Sequence, residues 1–188
     1  MTASLRLGLV GTGYWADVTH ATAAVAAPSW DLAAVWGRDA GRAAALAERH
    51  GAPHAGTDFD AFLAQVDAVT FAVPPQLQSE LAVRAIRAAG GVPVFAHPGA
   101  DARGRIVPDR VFDRLAAAGL GGIEVDHRDH SPAQRERLTA IARRLGLLVT
   151  GSSDYHGSGK VNRLGEHLTD PEVLSAIEDQ GATAVVRA

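Results

Sequence analysis

The apolar run Leu5–Val10 breaks directly into Gly11-Thr12-Gly13-Tyr14-Trp15-Ala16 and then into a stretch of helical period. Strand, glycine turn and helix in that order give a G-x-G-x-x-G/A string the context in which it has physical meaning. Gly11 permits the tight turn, Gly13 lets the backbone approach a pyrophosphate, and Ala16 allows the helix to pack close to the strand. Phosphates at this position rest on unpaired N–H groups at the helix N-terminus, where the dipole favours negative charge. A glycine turn that binds nothing is the competing reading of the same residues.

Further along, short β-rich runs alternate with Ala/Arg/Glu/Leu stretches of helical period, the pattern of βαβ units and a mainly parallel sheet. Strands are expected at Leu5–Val10, Leu32–Trp36, Ala68–Val73, Val92–Ala96, Gly122–Asp126 and Leu147–Thr150, with shorter ones at Pro53–Ala55 and Thr183–Arg187. Helices are expected at Ala16–Ala26, Ala40–His50, Phe59–Ala64, Gln78–Ala89, Asp109–Ala118, Pro132–Leu145 and Pro171–Asp179. Gly51, Gly90, Gly119 and Gly146 each follow a helical stretch, where a left-handed C-terminal cap belongs. The Gly90–Gly91 junction is too short for a flexible tether. The expected fold is therefore α/β: a Rossmann-like, doubly wound, mainly parallel sheet with helices on both faces, continuous through one domain.

The 188 residues are 47% apolar, enough to bury a sizeable core. Eighteen basic against 21 acidic side chains give a net charge of −3 with no basic block, which argues against nucleic acid or an anionic membrane as partner. No apolar run approaches the roughly 20 residues of a membrane span, and the first apolar stretch is already a strand, so a soluble, cytoplasmic protein is expected, with a small-molecule ligand as its partner. Cysteine is absent, so a metal must use His, Asp or Glu.

The second strand ends in Trp36-Gly37-Arg38-Asp39, where a dinucleotide fold often places an acid on the adenosine ribose. Gly37 carries no carboxylate. Arg38 could pair with a 2′-phosphate, which favours NADP over NAD, although Asp39 could still serve the ribose. Alternatively, both residues are the solvated start of a helix.

Residues 5 to 90, with GLVGTGYWA, VWGRDAGRAAALAERHG, TDFDAFL, VDAVTFAVPP and AIRAAG, resemble the N-terminal Rossmann half of the glucose-fructose oxidoreductase/inositol dehydrogenase (Gfo/Idh/MocA) family. The resemblance implies a pyrophosphate loop at Gly11, Gly13 and Ala16, and a cofactor-facing loop at Pro74-Pro75. The family's His four residues after that first proline is replaced by Gln78. The family continues into a strand ending Glu-Lys-Pro, whose Lys contacts substrate, and then into a substrate domain; neither follows in this sequence.

In the second half, His97, His127, Asp154 and His156 each follow an expected strand. A parallel sheet gathers them on one edge, and imidazole with carboxylate suits zinc, manganese or iron. Solvated loop histidines are the competing reading. The segments GVPVFAHPG, GLGGIEVDHRDHSPAQRERLTAIARRLGLLVTGSSDYHG and LGEHLTDPEVL are similar to the C-terminal half of PHP (polymerase and histidinol phosphatase) phosphoesterases, which are distorted β/α barrels with a metal cluster at the strand C-termini. That resemblance implies metal ligands at His97, Asp154 and His156, with His127 facing the same site. The family's early His-x-His, its bridging Glu and a further His have no counterpart in residues 1–90, so the implied set is partial.

Both families share helix, glycine, strand and a functional residue before Pro at the crossover, where His97-Pro98 takes the place of Lys-Pro. A recombined or engineered chimera, with binding capacity for NAD(P) and a divalent metal but neither parent's catalysis, is the expectation. A metal-dependent phosphoesterase recruiting His20, His50 or His54 is the alternative, and an NAD(P)-dependent oxidoreductase a second. Glu124, mid-strand, needs a partner or an exposed edge, because burying a carboxylate is costly.

Overall fold

The computed structural model describes residues 4–183. The chain divides into two compact units, Met1–Ser79 and Glu80–Ala188.

In the first unit, β1 (Leu5–Val10) leads through the glycine turn into a π-helical segment, Ala16–Ala21, which runs on as α1 (Thr22–Ala26). The expected Ala16–Ala26 helix is thus one element whose first turns are widened. β2 (Trp30–Trp36), α2 (Ala40–His50), β3 (His54–Gly56), α3 (Phe59–Leu63) and β4 (Ala68–Phe71) follow. The strands pair in parallel in the order β3-β2-β1-β4. The core packs Leu9, Leu32, Val35 and Leu46 against Ala16, Ala21, Ala24, Ala43 and Ala47, whose small side chains let helices approach the sheet closely. Helix α2 starts where Asp39 accepts from the Arg42 N–H, and it ends at Gly51 in the left-handed region.

Helix α4 (Pro75–Ala88) follows, with Pro at its first position, and the second unit begins within it. β5 (Val94–Phe95), α5 (Asp109–Ala117), β6 (Gly122–Asp126), α6 (Pro132–Leu145), β7 (Leu148–Gly151) and α7 (Pro171–Gln180) complete the described chain. Its strands are parallel in the order β5-β6-β7. Phe112, Leu115, Ile123, Val125, Leu138 and Ile141 form its core, each large side chain contributing about 1.5–3 kcal/mol on full burial. Ser131 and Gln134 close a capping box at the start of α6, and Gly146 ends it in the left-handed region.

The α/β class and the parallel, Rossmann-like strand order of the first unit agree with expectation. The continuity of the sheet does not: among the described residues the strands form two sheets. The expected strand Val92–Ala96 shrinks to Val94–Phe95 between Pro93 and Pro98, which lack the N–H a ladder needs. The strand expected at Thr183–Arg187 falls beyond the described residues apart from Thr183, which is in a bend. Among the described residues no helix is long and apolar enough to cross a membrane.

Candidate functional site

Two strand edges gather the candidate residues, one in each unit. At the first, Gly11 adopts φ +128°, and a Cβ there would lie 2.5 Å from the Ala72 carbonyl oxygen. Its N–H donates to Trp36 O at 2.8 Å, tying the turn to the end of β2. A Cβ on Gly13 would meet nothing within 4 Å, so the backbone there faces open space, while Ala16 is fully buried beneath it. These are the features a pyrophosphate cradle needs. Gly37 approaches so closely that a Cβ would sit 2.6 Å from Thr12 Cγ2. A side chain at position 37 would therefore have to displace the Thr12 methyl group.

Arg38 is exposed just beyond β2. Asp39 accepts from the Arg42 N–H as the cap of α2, which commits one of its oxygens. Pro74 is exposed, and its carbonyl accepts from Leu77 and Gln78 at the start of α4. Sequence reasoning missed Arg42, whose guanidinium donates to Thr12 O at 3.2 Å inside the glycine turn. The signal was its place three residues after the Asp39 cap, which returns its side chain toward the turn. His20 lies 2.8 Å from Thr70 Oγ1, and His50 lies 2.6 Å from Asp17, so both have partners within the first unit.

At the second edge, His97 follows β5, Glu124 and His127 belong to β6 and its exit, and Asp154 and His156 follow β7. The rings of His97 and His127 stand 5.2 Å apart. His127 Nε2 lies 3.8 Å from Glu124 Oε1 and 3.9 Å from Asp154 Oδ2. His97 (φ +32°) and Asp154 (φ +48°) are the two non-glycine residues with positive φ among the described residues. Such backbone costs on the order of 1–3 kcal/mol and persists where the surroundings enforce it, most often at functional sites. The loop of Asp154 is held by Ser152 Oγ, which accepts its N–H, and by buried Asn162, which donates to Ser153 O at 2.7 Å and Asp154 O at 3.2 Å.

The cation at the centre of this edge is Arg103. Its Nη2 donates to Asp154 Oδ2 at 2.7 Å, its Nε to Asp129 Oδ2 at 2.8 Å, and its Nη1 lies 3.4 Å from His97 Nε2. Lys160 Nζ donates to the same Asp154 oxygen at 2.8 Å, and His156 Nε2 lies 2.9 Å from the other. The Lys160 and Arg103 hydrogen bonds hold the Asp154 carboxyl well below the usual carboxylate range. Burial, reinforced by the Arg103 charge, lowers His97, and burial lowers His127. Glu124 is pushed the other way by burial, to about 7.

The four expected metal ligands therefore converge on one edge, but as arranged they do not fit an ion. Among the described residues no three His, Asp or Glu side chains are placed to hold one. The Asp154 oxygens and the His97 Nε2 lone pair face Arg103, Lys160 and His156. His127 is corrected on chemical grounds: its Nδ1 accepts the Asp129 N–H at 3.1 Å, so in the neutral ring Nε2 carries the proton and has no lone pair to give. Glu124 Oε1 and His127 Nε2 are both buried without a hydrogen-bond partner.

Residues 5–96 match the profile of the Gfo/Idh/MocA oxidoreductase family, with its NAD-binding Rossmann fold. A different part of the chain matches PHP-type phosphoesterases. Two parts of the chain thus resemble two different enzyme families. Over 85 residues it is 44% identical to a phosphoribosyl 1,2-cyclic phosphate 1,2-diphosphodiesterase of Eggerthella lenta, covering 45% of this chain and 30% of the relative. Over 91 residues it is 38% identical to a 3′,5′-nucleoside bisphosphate phosphatase of Chromobacterium violaceum, covering 48% and 32%. A crystal structure from Bifidobacterium adolescentis, assigned as a metal-dependent phosphoesterase, superposes with a TM-score of 0.55 at 47% identity, covering 56% of this chain and 37% of that one. The chain thus spans about a third of the length of these phosphoesterases.

Proposed function

We propose that the chain is a binding protein assembled from two enzyme segments, taking NAD(P) at the glycine turn, with neither parental reaction complete. The observation that carries the first part is the open space over Gly13 above a buried Ala16, beside a turn that only glycine can make at position 11. The cofactor would lie with its pyrophosphate on the free N–H groups after Gly13. Arg38, exposed beyond β2, and Arg42, against Thr12, supply positive charge suited to a 2′-phosphate. When bound, the nicotinamide would supply hydride chemistry, but the residues that act on a substrate have changed: Gln78 stands for the family's His and His97 for its Lys.

A divalent ion would fit the β5–β7 edge only after rearrangement. Its donors would be His97, Asp154 and His156, a suitable set for zinc, manganese or iron once they give up their present partners. Phosphoester hydrolysis by the second unit is the alternative, favoured by the 44% identity to a phosphodiesterase. Manganese- or zinc-dependent release of phosphate from a phosphate ester, abolished by Asp154→Ala, would promote it.

Titration with NADPH and NADH, followed by protein fluorescence, tests the first part. Saturable binding with NADPH the tighter ligand is expected. No saturation with either dinucleotide would defeat it.

A further inference from the structure

We infer that Tyr14 and Trp15 form an aromatic ledge for the nicotinamide ring, a stacking contact that fixes the far end of the dinucleotide once its pyrophosphate is seated. This rests on the dinucleotide reading of the glycine turn and deepens it. The pair stands apart from the other aromatic side chains of the first unit. Trp36, Phe59 and Phe62 are buried and Trp30 and Phe71 are half-buried, whereas Tyr14 and Trp15 are 70% and 68% exposed. Two neighbouring rings left in water forgo the burial that usually stabilises an aromatic side chain, and an exposed apolar patch of this kind marks a binding surface.

The rings are held in place before any ligand arrives. Trp15 has helical backbone, and the Asp17 N–H donates to Gly13 O at 3.2 Å, closing the turn that carries both residues. The two ring centroids lie 5.3 Å apart with their planes at 76°, an edge-to-face contact that restrains the indole. The order of residues along the turn assigns the end of the cofactor that they meet. Thr12 faces the exit of β2: a Cβ on Gly37 would lie 2.6 Å from its Cγ2, and Arg42 Nη2 donates to its carbonyl at 3.2 Å. With the 2′-phosphate on Arg38 and Arg42, the adenosine half lies on the Thr12 side and the pyrophosphate in the open space at Gly13. The nicotinamide half then runs on over Tyr14 and Trp15. Its oxidised ring is the cationic ring of the dinucleotide, and an indole face is the aromatic surface that holds a cation best.

The test is calorimetric titration of the full chain with NADP⁺ and with 2′-phospho-ADP-ribose, the same molecule without its nicotinamide ring, with thermal unfolding of each variant to confirm the fold. Trp15→Ala should weaken NADP⁺ about 10-fold and leave 2′-phospho-ADP-ribose unchanged, and Trp15→Phe should recover most of the loss. Tyr14→Ala, which only frees the indole, should weaken NADP⁺ about 3-fold. Trp15→Gln replaces Trp15→Ala should alanine lower the melting temperature. Equal loss of both ligands in the Trp15 variant would make the side chain a support of the turn and overturn the ledge, as would unchanged binding of NADP⁺. A wild type that saturates with 2′-phospho-ADP-ribose but not with NADP⁺ overturns the ledge while the glycine-turn reading stands. Saturation with neither ligand defeats that reading itself, and the ledge with it.

Discussion

Arg103 and Asp154, 51 residues apart, pair at 2.7 Å where the segments leaving β5 and β7 meet, and Asp154 holds this position with a backbone φ of +48°. Charge and backbone conformation at this residue can be separated by substitution. Asparagine tolerates the left-handed region, whereas alanine pays about 1–2 kcal/mol for it. Asp154→Asn should therefore cost the ion pairs alone, and Asp154→Ala should be less stable than Asp154→Asn by about 1 kcal/mol, read from urea midpoints at constant m.

Glu124 makes the stability of the second unit fall as pH rises from acid to neutral. Its folded value, about 7, lies above its ordinary 4.5 because burial disfavours the carboxylate. Its contribution to stability is therefore fully present below pH 4.5 and is lost as pH rises through about 7. Glu124→Gln should flatten this decline and raise stability at pH 8 by up to about 2–3 kcal/mol. Thermal unfolding across pH 4.5–8 checks it, and a wild type equally stable across that window would contradict the buried acid.

Asp154 has the opposite sign. Its depressed carboxyl contributes stability above the ordinary 3.8, lost only as pH falls through its lower folded value. The Arg103 and Lys160 pairs should therefore persist from pH 8 to 5, so the gap between the wild type and Asp154→Asn should not close over that range. A gap that closes by pH 5 would show that the pairs do not hold the carboxylate.

If the glycine turn takes the phosphorylated dinucleotide as proposed, Arg38 and Arg42 would hold its 2′-phosphate. Each alanine substitution should weaken NADPH by roughly 5- to 20-fold, as expected for one exposed charge-assisted contact, and leave NADH nearly unchanged. Because the Arg42 side chain also reaches Thr12 O, a loss of NADH affinity in Arg42→Ala alone would assign it to shaping the turn.

Much of the fold was legible because local chemistry marks its limits. The bounds of β1, α2, β6 and α6 agree with expectation, fixed by the glycine turn, the Asp39 and Ser131 caps and the left-handed Gly51 and Gly146. The widened turns at Ala16–Ala21 left no periodic signal, and the shortening of β5 needed weight on its two prolines. At the sites, the ligating residue types and strand ends were legible, as was the problem of Glu124 in mid-strand. The partners were not. Arg103 meets Asp154 across 51 residues and Arg42 meets Thr12 across 30, contacts that only the folded chain creates. The role of His127 turned on a backbone N–H two residues on, which no residue type announces.

The central claim, that the glycine turn binds a nicotinamide dinucleotide, is tested most directly by calorimetric titration of NADPH into the wild type and Gly13→Val. A Cβ at position 13 meets no protein atom within 4 Å, so the variant should fold as the wild type does while filling the space that the pyrophosphate would take. One saturable site in the wild type, lost in a Gly13→Val protein of unchanged melting temperature, is the expected result. Equal binding by both proteins would place the dinucleotide elsewhere and contradict the account.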